Sequence, residues 1–345
     1  MSSFPTRTIG GVSVSAIGFG AMGIAGAYGP VGDDEERFKV LDAAYKAGCT
    51  MWDTADIYLD SEDLIGKWFK RTGKRDDIFL ATKFGMVGRT PGARMVNGSK
   101  EYARQAVERS LKRLGVDCID LYYLHRADNS VPIEESVGAM AEFVKEGKVK
   151  FLGLSEISSE TLRRAHAVHP IAAVQVEYSP FTLDIEDPKI ALLETCRELG
   201  VAVVAYSPLG RGLLTGSYKS PDDFAPMDFR RMVERYNAHN FPNILKIADG
   251  LADIGTKKYN GATAGQVALA WLLAQGKDII PIPGTKKVKY LEENLAAAKL
   301  ALSKEDVAAV RQLAVAADAS QGARYPAAFM QHLFADTPPP PLAAL

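Results

Sequence analysis

Four residues of this 345-residue chain stand out for the chemistry they can do: Asp53, Tyr58, Lys83 and His125. A tyrosine hydroxyl, with an ordinary pKa of about 10, is a poor acid or base near neutrality. A lysine ammonium close by favours the phenolate and lowers that pKa. An aspartate beside the lysine holds it charged and oriented. A histidine can hydrogen-bond a carbonyl oxygen and help place it. Together the four can protonate an alkoxide as hydride arrives at its carbon. Singly, each has an ordinary structural reading: helix cap for Asp53, surface residue for Lys83, buried and satisfied histidine for His125, packing for Tyr58. Position separates the readings. Asp53, Lys83 and His125 end three successive apolar runs, and Tyr58 follows the first of them in DTADIY.

Those runs belong to a longer series. Strand candidates are AIGFG (16–20), CTMWD (49–53), IFLATK (78–83), IDLYYLH (119–125), KFLGLS (150–155), AAVQVE (172–177), VAVVAYS (201–207) and DIIPIP (278–283). Helical periodicity lies between them: Ala103, Ala106, Val107, Leu111 and Leu114 share one face of 99–114, with Ser99 placed to cap it. Thr263 with Gln266 forms a capping-box pattern before QVALAWLLAQG, and Ser303 with Asp306 repeats it for the last helix. Near-continuous apolar strands joined by helices indicate a parallel sheet buried on both faces. Eight such units without a linker predict an α/β fold, a single closed (β/α)8 TIM barrel. In such a barrel the C-terminal strand ends carry the catalytic groups, which is where Asp53, Lys83 and His125 fall.

We read residues 1–345 as one domain, with the barrel over about 5–325 and a C-terminal loop and extension over about 318–345. RTIGGVSVS reads as a β-hairpin that plugs the N-terminal end of the barrel. Long aperiodic stretches at 84–98, 208–240 and beyond 318 are expected to be loops at the C-terminal rim, and the terminal TPPPPLAAL a loose extension.

Residues 18–23, GFGAMG, match the G-x-G-x-x-G dinucleotide fingerprint. A Rossmann turn needs a helix to start at the third glycine. Here IAGAYGPVGDD follows, with three further glycines and Pro30, and no acidic residue closes a strand about 20 residues on; Asp53 comes 30 after Gly23. The motif is therefore read as a glycine-rich first strand entering its loop.

Composition excludes several other classes. With 41 basic and 42 acidic residues, the chain lacks the basic bias of a nucleic-acid binder. No apolar run reaches the roughly 18 residues of a membrane span, and MSSFPTRTIGG lacks a leader pattern, so a cytoplasmic location is expected. Cys49, Cys118 and Cys196 are far apart and sit in apolar surroundings, which suggests buried thiols and no disulfide framework. His166, His169, His239 and His332 have no ligand spacing, so no metal site is expected.

DTADIYLDSEDLIGKWF, FLATKFG, DLYYLHRAD, GLSEIS, AYSPLGRGLLTG and IPGTKKVKYLEENLAA resemble, in order, the aldo-keto reductase superfamily. The resemblance covers roughly residues 5–325 and implies a (β/α)8 barrel with an N-terminal hairpin. It implies Asp53, Tyr58, Lys83 and His125 as the catalytic tetrad, with Tyr58 the general acid in reduction and His125 orienting the carbonyl. It also implies extended NADP(H) bound across the rim. Ser155 and Gln175 then hold the nicotinamide carboxamide, and Tyr206 stacks on the nicotinamide. Ser207, Leu209, Gly210 and Arg211 form the pyrophosphate loop. Gly284, Thr285, Lys286 and Lys287, with Glu293 and Asn294, form the adenosine site. The turn near Ala21 and Met22 touches the nicotinamide half.

Residue types support the adenosine site independently. Lys286, Lys287 and Lys289 crowd the start of a helix, where backbone N–H groups already favour an anion, so a 2′-phosphate and NADP are expected. Two positions depart from the family pattern. Glu156 follows Ser155 where asparagine is common, and Tyr290 stands where an arginine often meets the 2′-phosphate. These features, with EYSPFTLDIE and GARYP, resemble the branch with pyridoxal-reductase-like and broad carbonyl-reductase members.

Tyr28, Phe84, Tyr122, Tyr325 and Phe329, together with His125, are expected to line a substrate pocket suited to aryl or moderately apolar aldehydes and ketones, with Phe84 and Tyr122 reading equally well as core packing. Nothing in the residues encodes a strong anion preference, although Arg89, Arg94 and Arg126 meet an anion if they face the pocket. The expected partner is therefore a small carbonyl compound. The alternative is a cofactor-sensing regulatory subunit that binds NADP(H) and a partner protein, which the intact tetrad disfavours. A barrel lyase or isomerase leaves the lysine-rich helix start without a purpose.

Overall fold

The computed structural model describes residues 4–26, 28–88, 94–226 and 228–341. The N-terminal hairpin pairs β1 (Thr6–Ile9) with β2 (Val12–Ser15), and its turn places Gly10 and Gly11 at φ 57° and 85°. A two-residue turn of this kind needs positive φ at both positions, which glycine adopts without a Cβ clash. Ile9 and Val14 are buried among Met51, Phe79, Leu121, Tyr123, Val204 and Ile280, so the hairpin closes the N-terminal end of the barrel as expected.

Eight strands follow: β3 (Phe19–Gly20), β4 (Met51–Asp53), β5 (Phe79–Phe84), β6 (Ile119–Leu124), β7 (Val149–Ser155), β8 (Ile171–Glu177), β9 (Ala202–Tyr206) and β10 (Ile279–Pro281). All pair parallel, each with its sequence neighbour. The ring is completed where the Gly18 N–H donates to the Pro281 carbonyl at 2.9 Å and the Gly20 N–H to the Pro283 carbonyl at 3.2 Å.

GFGAMG is therefore the seam of the barrel. A Cβ on Gly20 would stand 2.6 Å from the Ile282 carbonyl oxygen, and one on Gly18 would stand 2.5 Å from Met51 Sδ. The glycines permit close strand approach and form no phosphate cradle.

Helices α1 (Asp34–Lys46), α2 (Ser61–Thr72), α3 (Lys100–Leu114), α4 (Ile133–Lys145), α5 (Ser159–Val168) and α6 (Leu192–Glu198) connect successive strands through β9. Helices α7 (Phe241–Lys258) and α8 (Ala264–Ala274) lie between β9 and β10. Helices α9 (Val288–Ala296) and α10 (Lys304–Ala317) follow. Ser99 caps α3, and Thr263 with Gln266 completes the capping box of α8. Ser303 caps α10 through the Asp306 N–H, but its own N–H donates to the Tyr259 hydroxyl at 2.9 Å, so the reciprocal half of the box is missing.

The expected loose C-terminal extension is docked at its start, through Thr337 and Pro338, and so is the segment that leads into it. The Ala335 N–H donates to the Glu156 carbonyl at 3.0 Å, and the Ala335 carbonyl accepts from the Ser158 N–H at 3.1 Å. Pro132 precedes α4 and offers no side-chain cap; Thr337 Oγ1 accepts from the Ile133 N–H instead, at 3.2 Å. Arg164 holds the Thr337 and Pro338 carbonyls at 2.9 and 2.7 Å. No helix among the described residues is long and apolar enough to cross a membrane.

Candidate active site

Strand alternation decides what reaches the barrel mouth, because successive side chains point to opposite faces. In β4, Met51 is interior and Trp52 faces the helices, so Asp53 returns to the interior side. In β5, Phe79 and Ala81 are interior while Leu80 and Phe84 pack under the helices, which puts Lys83 inward at the strand's end. Leu121 and Tyr123 set the same parity for His125, Ala173 for Gln175, and Ala202 and Val204 for Tyr206. Five of the eight strands thus converge their last inward residues on one opening.

Lys83 is fully buried. Its ammonium donates to Asp53 Oδ1 and, at 2.7 Å, to the Thr54 carbonyl. Asp53 Oδ2 accepts from Gln175 Nε2 at 2.7 Å. Lys83 Nζ lies 5.0 Å from the centre of the Tyr58 ring, and the Tyr58 and His125 rings meet nearly at right angles with centres 5.6 Å apart. Burial pulls the Lys83 pKa below the ordinary lysine value, and contact with Asp53 works against that. Burial pushes Asp53 up, opposed by the same contact. A short turn sets Tyr58: its N–H donates to the Ala55 carbonyl at 3.1 Å and its carbonyl accepts from the Ser61 N–H at 2.9 Å. The four residues singled out by type thus form one cluster.

Beside it runs a buried polar chain that position alone did not reveal. Glu156, at φ 53°, is completely buried. Its Oε1 accepts from the Tyr206 hydroxyl at 2.8 Å and Arg324 Nη1 at 3.0 Å, and its Oε2 accepts from Arg324 Nη2 at 2.9 Å. Burial would raise the Glu156 pKa, but Arg324 more than reverses this and leaves it below the ordinary carboxylate value. Arg324 Nη1 also meets Glu177 at 3.2 Å. The Tyr206 hydroxyl lies 3.2 Å from that of Tyr325. The signals for this network were Glu177 ending an apolar strand and a lone arginine in GARYP; neither says that the two meet.

The expected cofactor residues divide into groups. Met22 sits in the turn after β3, which the Ala21 N–H ties to the Asp53 carbonyl at 2.8 Å. Ser155 Oγ accepts from Arg126 Nη1 at 3.1 Å. Ser207 and Leu209 are half-buried, and Gly210 donates its N–H to the Ser207 carbonyl at 2.8 Å. Arg211 is buried, 3.6 Å from Glu177 and 4.5 Å above the Tyr325 ring; its guanidinium is engaged by these groups.

At the far end, Lys286 Nζ donates to the Tyr28 and Pro30 carbonyls at 3.1 and 3.0 Å, and Thr285 Oγ1 accepts from the Lys287 N–H at 3.1 Å. Glu293 accepts from the Thr263 hydroxyl at 2.7 Å, bracing α9 against α8, and Asn294 is buried. Helix α9 has no side-chain cap and no acidic residue in its first turn. Its free N–H groups among exposed lysines fit a phosphate.

Of the expected pocket residues, Tyr28 and Tyr325 lie within electrostatic reach of each other, and Tyr28 of Tyr58. Tyr325 and Phe329 rings are 6.4 Å apart. Phe84 and Tyr122 are corrections. Both are fully buried, their rings stacked at 5.0 Å under the helices, because each sits one residue off the inward parity. Arg94 pairs with Asp128 at 3.0 Å, and Arg89 lies outside the described residues. No group of three metal-binding side chains occurs among the described residues.

Comparison with known proteins follows the same lines. Residues 16–315 match the Aldo/keto reductase family model. The chain is 66% identical over 315 residues to aldo-keto reductase str7 of Strobilurus tenacellus, covering 90% of this chain and 92% of that one. It is 51% identical over 342 residues to aldo-keto reductase yakc [NADP(+)] of Schizosaccharomyces pombe, covering 98% and 99%. The solved glycerol dehydrogenase of Gluconobacter oxydans superposes with a TM-score of 0.80 at 27% identity, covering 99% of this chain and all of that one.

Proposed function

The chain belongs to the aldo/keto reductase family, and from that premise we propose that it reduces an aldehyde or ketone to the alcohol with NADPH, Tyr58 delivering the proton. The observation that carries this reading is the buried Asp53–Lys83 pair, with Lys83 Nζ 5.0 Å from the centre of the Tyr58 ring and the His125 ring centre 5.6 Å from it. NADPH supplies the hydride when bound.

The chain's own residues do the rest. Lys83 places a positive charge where the Tyr58 oxygen becomes negative as its proton leaves. Asp53 holds Lys83 in place. Gln175 occupies the second Asp53 oxygen, so the carboxylate cannot turn toward the substrate. His125 orients the carbonyl oxygen against the Tyr58 hydroxyl. Ser155 and Gln175 hold the carboxamide, and Tyr206, fixed through its hydroxyl by Glu156, backs the nicotinamide ring. The uncapped start of α9 with Lys286, Lys287 and Lys289 takes the 2′-phosphate in place of the arginine that Tyr290 replaces.

The test is NADPH consumption against pyridoxal, aryl aldehydes and sugar-derived aldehydes. Turnover of at least one class supports the reading; NADPH binding without turnover of any would overturn it in favour of the regulatory alternative. Pyridoxal is included because of the resemblance carried by EYSPFTLDIE and GARYP.

A further inference from the structure

Arg126 follows His125 at the end of β6 and is 8% exposed. Its Nη1 donates to the His125 carbonyl at 2.6 Å and to Ser155 Oγ at 3.1 Å. Among the described residues, its Nε and Nη2 have no hydrogen-bond acceptor, no carboxylate stands within ion-pair distance and no aromatic ring lies beneath it. Arg235, also buried and without an ion pair among the described residues, donates to the Gly322 carbonyl at 3.2 Å and to Thr182 Oγ1 at 3.3 Å and lies over the Phe181 ring; the others near this rim each have a carboxylate. Arg324 has Glu156 and Glu177, Arg211 has Glu177 and the Tyr325 ring, and Arg230 has Asp228.

Glu156 is within electrostatic reach of Arg126, but Arg324 already spans both its oxygens, with Tyr206 and the Glu177 N–H on Oε1 as well. Asp53 is likewise taken by Lys83.

A buried cation without a counter-charge is unfavourable, and arginine cannot relieve it by losing a proton. Its open Nε and Nη2 donors suit an anion supplied by a ligand. The place of that ligand follows from the neighbours. Arg126 bridges His125 and Ser155, and Tyr58, Tyr206 and Tyr325 lie within reach of its charge. Whatever it holds shares the barrel mouth with Tyr58. The phosphates of the proposed dinucleotide have places elsewhere, the pyrophosphate at Ser207–Arg211 and the 2′-phosphate at the start of α9, and a nicotinamide carries no negative charge. The Nε and Nη2 donors lie side by side in one plane, the geometry that accepts both oxygens of a carboxylate.

We propose that Arg126 anchors a carboxylate on the carbonyl substrate, so that the preferred substrates are oxo acids or carboxylated aldehydes. This rests on the carbonyl-reductase reading. The reaction is unchanged: hydride from NADPH forms the new C–H bond, the Tyr58 proton forms the O–H bond, and the carboxylate stays intact while fixing which carbonyl is presented.

The experiment compares 2-, 3- and 4-carboxybenzaldehyde with their methyl esters, in wild type, Arg126→Met and Arg126→Lys, with NADPH binding followed in each. At least one acid should exceed its ester tenfold or more in kcat/KM. Arg126→Met should erase that preference mainly through KM, and Arg126→Lys should keep part of it. Equal use of acids and esters by the wild type, or equal losses for both in Arg126→Met, overturns the proposal. Benzoate binding to the NADP(+) complex, measured by calorimetry, separates the two readings. If it depends on Arg126 while no aldehyde is turned over, the subsite stands and the reductase reading fails. If benzoate does not bind at all, the subsite fails whatever the turnover.

Discussion

Arg324 grips both oxygens of Glu156, Nη1 to Oε1 at 3.0 Å and Nη2 to Oε2 at 2.9 Å, and so locks a residue of the C-terminal segment to the end of β7. The pair is buried, and the Tyr206 hydroxyl hangs from the same carboxylate oxygen. A segment far along the chain thereby steadies a ring at the proposed nicotinamide site.

Removing the cation should expose how much rests on it. Arg324→Met leaves Glu156 and Glu177 buried and short of a counter-charge, a change of about 3–5 kcal/mol in such settings. We expect a clear fall in Tm and weaker NADPH binding. The double variant Glu156→Gln with Arg324→Met should recover part of the stability, because one of the two orphaned charges is gone and Glu177 keeps Arg211. Thermal melts of the single and double variants check this; equal losses in both would refute it.

Tyr58→Phe should abolish carbonyl reduction while NADPH still binds, since only the proton donor is lost. General acids of this kind contribute roughly 10²–10⁴-fold. Steady-state turnover alongside a fluorescence titration with NADPH tests it. Near-normal turnover would reassign the acid.

Stability should depend on pH through Asp56. Burial, then the neighbouring Glu62, push its pKa up to about 7, against Arg109 at 3.5 Å. Between about pH 4 and 7 the folded state holds a proton that the unfolded state has released, so stability falls as pH rises through this window. The loss is complete above about pH 7 and is on the order of 4 kcal/mol at most. Asp56→Asn should therefore melt higher than wild type at pH 8, with the gap closing toward pH 4. A constant difference across that range would show that Asp56 does not titrate as inferred.

Glycine positions separate a packed seam from an open helix face. Gly20→Ala would push a methyl to 2.6 Å from the Ile282 carbonyl, where backbone on both sides resists movement. A destabilisation of about 3 kcal/mol is expected. Gly138, in α4, has nothing within 4 Å of an added Cβ, so Gly138→Ala should gain up to about 1 kcal/mol. Chemical denaturation of both variants reads the contrast in sign.

Much of this architecture was legible in the residues. The apolar runs located all eight barrel strands, because strands buried on both faces leave little choice of residue. Gly10-Gly11 placed the hairpin, and Thr263 with Gln266 placed the start of α8. Period-two alternation carries Asp53, Lys83 and His125 to the mouth, and it also turns Phe84 and Tyr122 away; that second inference was available in FLATKF and DLYYLH and follows from the same parity. The G-x-G-x-x-G string failed as a fingerprint on its own context, yet only the ring closure explained why glycines stand there. Tertiary structure alone decided the rest. Which buried charges meet depends on loops that carry no period, so nothing in the sequence joins Arg324 to Glu156, 168 residues away, or leaves Arg126 without a carboxylate. Local pattern determines which face a side chain takes, whereas the pairing of charges is set by the three-dimensional path of the rim loops and the C-terminal segment.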